Sequence, residues 1–437
     1  MKPYPKYKDS GIEWIGEIPA HWDVKPLKYM VAINKDALPE TVSHDQEIHY
    51  IDIGGVDSSG NVASPESMLF KDAPSRARRV VRQGDTIVST VRTYLKAIAY
   101  IGDSDPHLIA STGFAVLSPA EKTYSTYLYY LMSSQPVVDT ICAWSTGVSY
   151  PAIAPSQLAS ISLWIGDIDE QQSIATYLDR KTKQIDGLIE KKQNQIDLLR
   201  EQRTAVINEA VTKGLNPKAK MKDSGIEWIG EIPEHWNVSK VKWVAKTVKT
   251  GTTPPSGESK YFEGGVVPWY TPADFHDDQI GLSKSSRAIT EIAIDDGECV
   301  LYPSLTVMIV GIGATLGKIG IAQIPSASNQ QINSIVLSGD MNPYFFAYFL
   351  FVSTDAVKSY SNAATLPILN QAQTKSIPVP VPPREEQDQI VEMIKSQTSE
   401  SDTMIAKEER LIELLQEYRT SLISEVVTGK VDVRNEN

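Results

Sequence analysis

The fragment GIGATLGKIG at 311–320 has the glycine density and the lysine of a loop that cradles phosphate. Such a loop needs glycine at 312 and Ser or Thr after Lys318, where Ile312 and Ile319 stand. Leu316 also breaks the dinucleotide pattern, so the stretch reads as a glycine-rich β-turn whose backbone and Lys318 can approach a phosphate. MNPYFF at 341–346 shares Asn-Pro and an aromatic residue with the signature of adenine-N6 methyltransferases. It lacks the second proline and has no glycine-rich cofactor loop upstream, so Asn342-Pro343 is expected to start a helix. The six histidines form no HExxH pair, no GxSxG elbow is present, and Cys142 and Cys299 stand alone. No metal site or catalytic constellation is expected.

Arginine carries the positive signal. FKDAPSRARRVVRQGDTIVSTVRTYLK at 70–96 sets Lys71, Arg76, Arg78, Arg79, Arg82, Arg92 and Lys96 against Asp72 and Asp85, a local charge of +5. Arginine binds phosphate and also reads guanine edges with two bonds. Ser89, Thr90, Thr93 and Tyr94 add hydroxyls suited to phosphate. The stretch reads as a nucleic-acid face or, more blandly, as a solvated basic surface. In the second half of the chain Lys246 and Lys249 have no acidic neighbour between 239 and 250, and Lys284, Arg287 and Lys318 follow. SNQQINS at 328–334 offers the amides of Asn329, Gln330 and Gln331 to adenine edges, or is an ordinary polar turn.

The whole chain is acidic: 42 basic against 54 acidic residues in 437 give a net charge of −12. That number alone argues against nucleic acid, but net charge does not say where charge sits. Length implies two to four domains. The N-terminal MKPYPKYKDSG has no apolar signal core, no stretch reaches the length of a membrane span, and two isolated cysteines suit a reducing cytoplasm.

The elements that must position these residues come in duplicate. KDSGIEWIGEIPAHWDV at 8–24 returns as KDSGIEWIGEIPEHWNV at 222–238, with fifteen of seventeen positions identical. A second pair, 169–214 and 385–430, aligns without a gap at an offset of 216 and keeps Glu170-Gln171 as Glu386-Gln387 and Arg203-Thr204 as Arg419-Thr420. The order is motif, variable region, helix, then the same again. The variable centres, about 30–150 and 245–365, diverge, which fits two similar scaffolds working on two targets. STYLYYLMSS at 125–134 and PYFFAYFLFVSTDAV at 343–357 read as helices whose aromatic faces belong to domain cores.

The two 46-residue segments read as long helices. One has an apolar seam at Ile185, Ile189, Ile196, Leu199, Val206 and Ala210; the other at Ile405, Ile412, Leu415, Leu422 and Val426. Polar residues interrupt both seams at equivalent places: Lys192 and Arg203, Glu408 and Arg419. Either the two helices pair antiparallel along these seams, or each packs on its own domain. A non-DNA adaptor, two ligand-binding domains on a helical stalk, is the competing functional class.

Tandem KDSGIEWIGEIPxHW motifs, each followed by a variable region and a helix that opens on Glu-Gln, resemble the specificity subunit of type I restriction–modification systems over essentially the full chain. The resemblance implies an α+β fold with an internal pseudo-two-fold repeat. It consists of two similar mixed α/β target recognition domains, separated by two long helices that form an antiparallel coiled coil. The boundaries would be 1–166 for the first domain, 167–215 for the first helix, 216–381 for the second domain and 382–437 for the second helix and tail. It implies a non-catalytic, cytoplasmic chain with no cofactor of its own, each domain reading half of a bipartite asymmetric site on double-stranded DNA. Its partners would be two methyltransferase subunits using S-adenosylmethionine, and restriction subunits using ATP with Mg. The helices would act as a ruler: 182–212 spans roughly 45 Å at about 1.5 Å per residue, a little more than one DNA turn of about 34 Å.

Overall fold

The computed structural model describes residues 2–39, 41–102, 105–362 and 367–436. The chain forms two compact units: Met1–Lys192 with Arg410–Asn437, and Gln193–Glu409. Each contains one variable region and a segment of both long helices, Ile168–Lys213 and Arg384–Val427.

In the first unit the repeated motif folds as a hairpin, Tyr7–Asp9 against Glu17–Pro19. Its bend is locally encoded. Asp9 Oδ1 accepts from the Gly11 amide at 2.9 Å and Ser10 Oγ from the Ile12 amide at 3.0 Å, while Gly11 takes φ 71°, open to glycine at little cost. The next strand, Asp23–Pro26, pairs antiparallel with Ser162–Ile165 beyond the variable region and so closes that region at its base. The variable region holds two four-stranded sheets. One runs Glu66–Leu69, Glu47–Ile51, Leu108–Ser111, Ala77–Val80; the other runs Val31–Ile33, Phe114–Pro119, Thr86–Ser89, Ile98–Tyr100. Helices Ser125–Ser133 and Gln135–Trp144 follow, and Tyr127, Leu128, Tyr130 and Leu131 are buried, so that aromatic face is core.

The second unit repeats the plan. Met221–Asp223 pairs with Glu231–Pro233, and Asn237–Lys240 pairs with Pro378–Val381. The variable sheets differ: five strands led by Ala245–Thr250 and Ile332–Leu337, and three strands centred on Val267–Tyr270. Asn342 caps the helix Pro343–Val352, its side chain accepting from the amides of Tyr344 and Phe345, and Phe345, Phe346 and Phe349 are buried.

The Glu-Gln pair that opens each long helix has a physical role. Glu170 Oε2 accepts from the Trp22 indole and bonds the His21 ring, both at 2.8 Å; Glu386 Oε2 lies 2.8 Å from His235. Gln171 Oε1 accepts from the Tyr124 amide at 2.8 Å, just before the first variable-region helix, and Gln387 Oε1 accepts from the Asn342 amide at 2.7 Å. Each Glu therefore holds the hairpin motif and each Gln holds the following domain helix. Both glutamines are almost fully buried, and both donate onward to backbone carbonyls, which satisfies their amides.

The helix seams are buried or half-buried as well. In the first unit Ile185, Leu422 and Val426 join the main core, with Ile189 and Leu415 packed against it. Ile196 and Ile405 are buried, while Leu199, Val206 and Ile412 are half-buried. The seam interruption Arg419 pairs with Asp186 at 2.9 Å in the first unit, and its counterpart Arg203 pairs with Asp402 at 3.0 Å in the second. Both partners are offset by 216, so the same residue types meet in each unit. In the second unit Arg200 also pairs with Glu409 at 3.0 Å, so partner numbers fall on one helix as they rise on the other. The order marks an antiparallel pair of segments.

Candidate nucleic-acid interface

In the first variable region Arg76, Arg78 and Arg79 lie on or beside the edge strand Ala77–Val80. Each is partly spoken for. Arg76 pairs with Asp52 at 3.0 Å and donates to the Tyr50 hydroxyl at 3.2 Å. The Arg78 guanidinium lies 4.9 Å from the centre of the Phe70 ring. Arg79 is half-buried and bridges through its backbone to Ala37. Arg82 pairs with Asp36 at 2.6 Å with its side chain 62% exposed. Asp85 belongs to the scaffold: burial pushes its carboxyl up, and its Oδ2 accepts from the Arg82 amide at 2.8 Å. The patch is thus basic but half-neutralised by Asp36 and Asp52, residues far from it in sequence.

The hydroxyls read from the sequence as phosphate ligands sit inward. Ser89, Thr90 and Thr93 are 3%, 6% and 4% exposed. Ser89 Oγ donates to the Val91 carbonyl, Thr90 Oγ1 to the Gly113 carbonyl, and Thr93 Oγ1 bonds Ser145 Oγ. They brace the loop that follows strand Thr86–Ser89, and the expectation that they face a ligand is corrected to that bracing role. The same loop carries Tyr94, 53% exposed, and Arg92, whose guanidinium stacks 4.5 Å from the centre of the exposed Tyr150 ring. Lys96 is half-buried and donates to Gln135 Oε1 at 3.0 Å.

In the second variable region Lys246 and Lys249 are exposed on strand Ala245–Thr250, where the register shifts so that Lys246 is the extra residue of a bulge. Lys284 and Arg287 lie on the segment between two short strands, pinned where Asp274 Oδ1 accepts from the Ser286 amide at 2.6 Å. The Arg287 guanidinium lies 5.3 Å from the centre of the Phe262 ring and 4.9 Å from that of Trp269, two rings that meet edge to face. Lys318 lies elsewhere: it pairs with Asp277 at 2.9 Å and lines a 470 Å³ cleft with Arg200, Arg203 and His276. Asn329 is 7% exposed and its amide is spent on Gln331, donating to Oε1 and accepting from the backbone N–H, both at 3.0 Å. Gln330 is exposed and accepts from Thr253. The 328–332 stretch is therefore a self-bonded polar turn. The buried Cys299 thiol is pushed up by burial, away from thiolate chemistry.

The model of the type I restriction–modification DNA specificity domain matches residues 19–198 and again 233–414. The chain belongs to that family. Its two matched stretches make this a tandem specificity chain, one domain in each unit. The MjaIX specificity subunit of a type I restriction enzyme from Methanocaldococcus jannaschii is 30% identical over 199 residues, 44% of each chain, so that match spans under half of the relative. The MjaX specificity subunit from the same organism is 23% identical over 436 residues, 96% of each chain. A solved chain from a type I R-M system, described for its complex assembly and conformational transition, superposes with a TM-score of 0.70 at 22% identity, covering 95% of this chain and 99% of that one. At that identity the likeness concerns the fold.

Reading the sequence did not reveal several features of the specificity chain's surface. Tyr150, Phe262 and Trp269, which orient Arg92 and Arg287, lie 18 to 58 residues from their arginines or on another strand. Another was in plain view: Lys28 over Tyr29 and Lys242 over Trp243, each aromatic strongly exposed, stand at the repeat's offset of 214. Among the described residues no helix is long and apolar enough to cross a membrane.

Proposed function

We propose that this chain is the sequence-reading subunit of a type I restriction–modification complex. Each variable region reads one half of a bipartite, asymmetric site on double-stranded DNA. The two long helices pair as an antiparallel coiled coil that sets the spacer and carries two methyltransferase subunits. Chemistry belongs to the partners: adenine methylation with S-adenosylmethionine, and ATP- and Mg-dependent restriction subunits in the full assembly. The chain works in the cytoplasm and supplies position and selectivity.

The observation that carries this reading is a scaffold made twice around two different surfaces. The His–Glu contact, the buried Gln and the Arg–Asp pair each occur in both halves. Between them, the exposed groups differ: Arg76, Arg82 and Arg92 in one variable region, Lys246, Lys249, Lys284 and Arg287 in the other. A duplicated frame with diverged faces suits two half-sites of different sequence.

The test is long-read methylation mapping of a host that carries this chain with its methyltransferase. The expected result is methyladenine at a site with two specified halves and a fixed unspecified spacer. A single short continuous site, or no dependence of the pattern on this chain, overturns the reading. Adding one heptad to both long helices lengthens each by about 10 Å and is expected to widen the spacer by about three base pairs at roughly 3.4 Å each. New half-sites at an unchanged spacer would count against the helices as the ruler.

A further inference from the structure

Four non-glycine residues among the described residues have positive φ: Asn34, Arg92, Lys96 and Leu305. Two of them, Arg92 at 52° and Lys96 at 55°, fall on one loop between strands Thr86–Ser89 and Ile98–Tyr100. The second variable region builds the same loop between Val307–Val310 and Ile319–Ala322. Three backbone bonds fix a common register. Ser89 N–H donates to Ala97 O and Val310 N–H to Lys318 O, both at 2.9 Å. Thr90 N–H donates to Gly113 O at 2.8 Å and Gly311 N–H to Gln331 O at 2.7 Å. Ile153 N–H donates to Thr90 O at 2.9 Å and Leu369 N–H to Gly311 O at 2.8 Å. In this register Arg92 and Lys96 correspond to Gly313 and Gly317, which take φ of 96° and 86°.

The loop geometry therefore demands left-handed backbone at two positions. One copy meets the demand with glycine, which adopts it freely; the other holds two long cationic side chains in a conformation that L-residues avoid. Strain of this kind persists where the side chain is used. Lys96 is tied to Gln135 inside the domain. The Arg92 side chain is exposed and hydrogen-bonds to none of the described residues. Its guanidinium lies over the Tyr150 ring, a contact that uses none of its N–H donors. Tyr94 on the same loop is 53% exposed, Tyr150 under the guanidinium is 61% exposed, and the Arg92 N–H donates to Pro151 O at 2.7 Å, next to Tyr150. A phosphate needs only a positive charge at the right distance, which a lysine on relaxed backbone supplies. A fork held rigidly on a ring suits a base edge.

We propose that Arg92 is a specificity-determining residue of the first domain, reading a guanine edge in the major groove with two hydrogen bonds, and that the second domain reads its half-site without a side chain at the matching position, Gly313. This rests on the function proposed above and narrows it to one residue.

The test uses the full chain in complex with its methyltransferase subunits. Binding and methylation are measured on a duplex carrying the mapped site and on duplexes with each base pair of both half-sites replaced in turn, for wild type, Arg92→Gly and Arg92→Lys. For Arg92→Gly, discrimination is expected to fall roughly five- to 150-fold at one base pair of one half-site. The other half-site and the spacer should be untouched, and the melting temperature no lower, because glycine relieves the strained backbone. Arg92→Lys should lose the same discrimination, since lysine keeps the charge and not the fork. Uniform weakening at every base pair, full selectivity retained by lysine, or an unchanged pattern would each overturn the inference while leaving the proposed function standing. A wild-type complex that specifies no bipartite site would overturn both.

Discussion

Trp22 donates its indole N–H to Glu170 Oε2 at 2.8 Å, across 148 residues of chain, and both side chains are almost fully buried. The equivalent Trp236 is equally buried, but its indole nitrogen finds no partner among the described residues, and the Glu386 carboxylate bonds the His235 ring instead. The repeated motif is thus a clip onto the first turn of a long helix, fastened more tightly in the first copy. Trp22→Ala is expected to cost about 3–5 kcal/mol, the range for emptying a buried aromatic site. Glu170→Ala strands a buried donor and is expected to cost about 1–3 kcal/mol, more than Glu386→Ala. Denaturant titration of these three variants against wild type tests the order, and the DNA sequence methylated by the complex that contains the folded chain should not change.

The duplicated pair Arg419–Asp186 and Arg203–Asp402 joins an arginine that is 19% or 11% exposed to a carboxylate that is about half exposed. Solvent screens such a pair. A double-mutant cycle at each site is expected to return a coupling of about 0.2–1 kcal/mol. The first pair should return the larger value, because Arg419 hydrogen-bonds Asp186 through two nitrogens while Arg203 Nε makes no hydrogen bond among the described residues and the guanidinium also donates to the Asp278 carbonyl; equal couplings would show that this difference carries no energy.

Arg76 and Arg82 reach solvent but answer to Asp52 and Asp36. Replacing both arginines with Ala is expected to weaken DNA binding and to flatten the slope of its salt dependence by up to about 0.9 for each phosphate that is no longer neutralised. Asp36→Asn and Asp52→Asn should act in the opposite sense by releasing the guanidinium groups. An affinity and slope unmoved by all four changes would remove this patch from the DNA face.

His49 Nδ1 lies 2.6 Å from Asp105 Oδ2, in the same sheet as the basic patch but two strands away from it. The bond to Asp105 raises the His49 pKa above its ordinary 6.5. Burial works upward on Asp105, but the bonds from His49 and the His107 amide outweigh it and lower the carboxyl below 3.8. The histidine's contribution is complete below pH 6.5 and is lost as pH rises through its folded value; the carboxylate's is lost as pH falls through its own lowered value. The pair therefore supports the first domain best in mildly acidic solution. Proton NMR should find the His49 midpoint above 6.5, and Asp105→Asn should bring it back.

Much of the frame can be read from residue order because its determinants are local. The hairpin bends need Asp-Ser-Gly, the long helices need periodic apolar residues without proline, and the helix at 343 needs the Asn-Pro start that it has. The tandem architecture follows from direct comparison of one half of the chain with the other, which requires no coordinates at all. The surface is a different matter. A serine or arginine has no fixed side of the molecule, and its use depends on what packs beside it. Thr90 and Thr93 turned inward because a carbonyl and a hydroxyl from other segments met them, and Ser89 bonds a carbonyl of its own loop. Asn329 spent its amide on the Oε1 and backbone N–H of Gln331. Arg92 kept its donors because Tyr150 took only its face, at a backbone angle that the equivalent loop reserves for glycine. Composition and spacing determined that this protein is two frames in series; tertiary packing decided which of its cations are left free to touch anything else, since neutralisation and burial are set by neighbours distant in sequence.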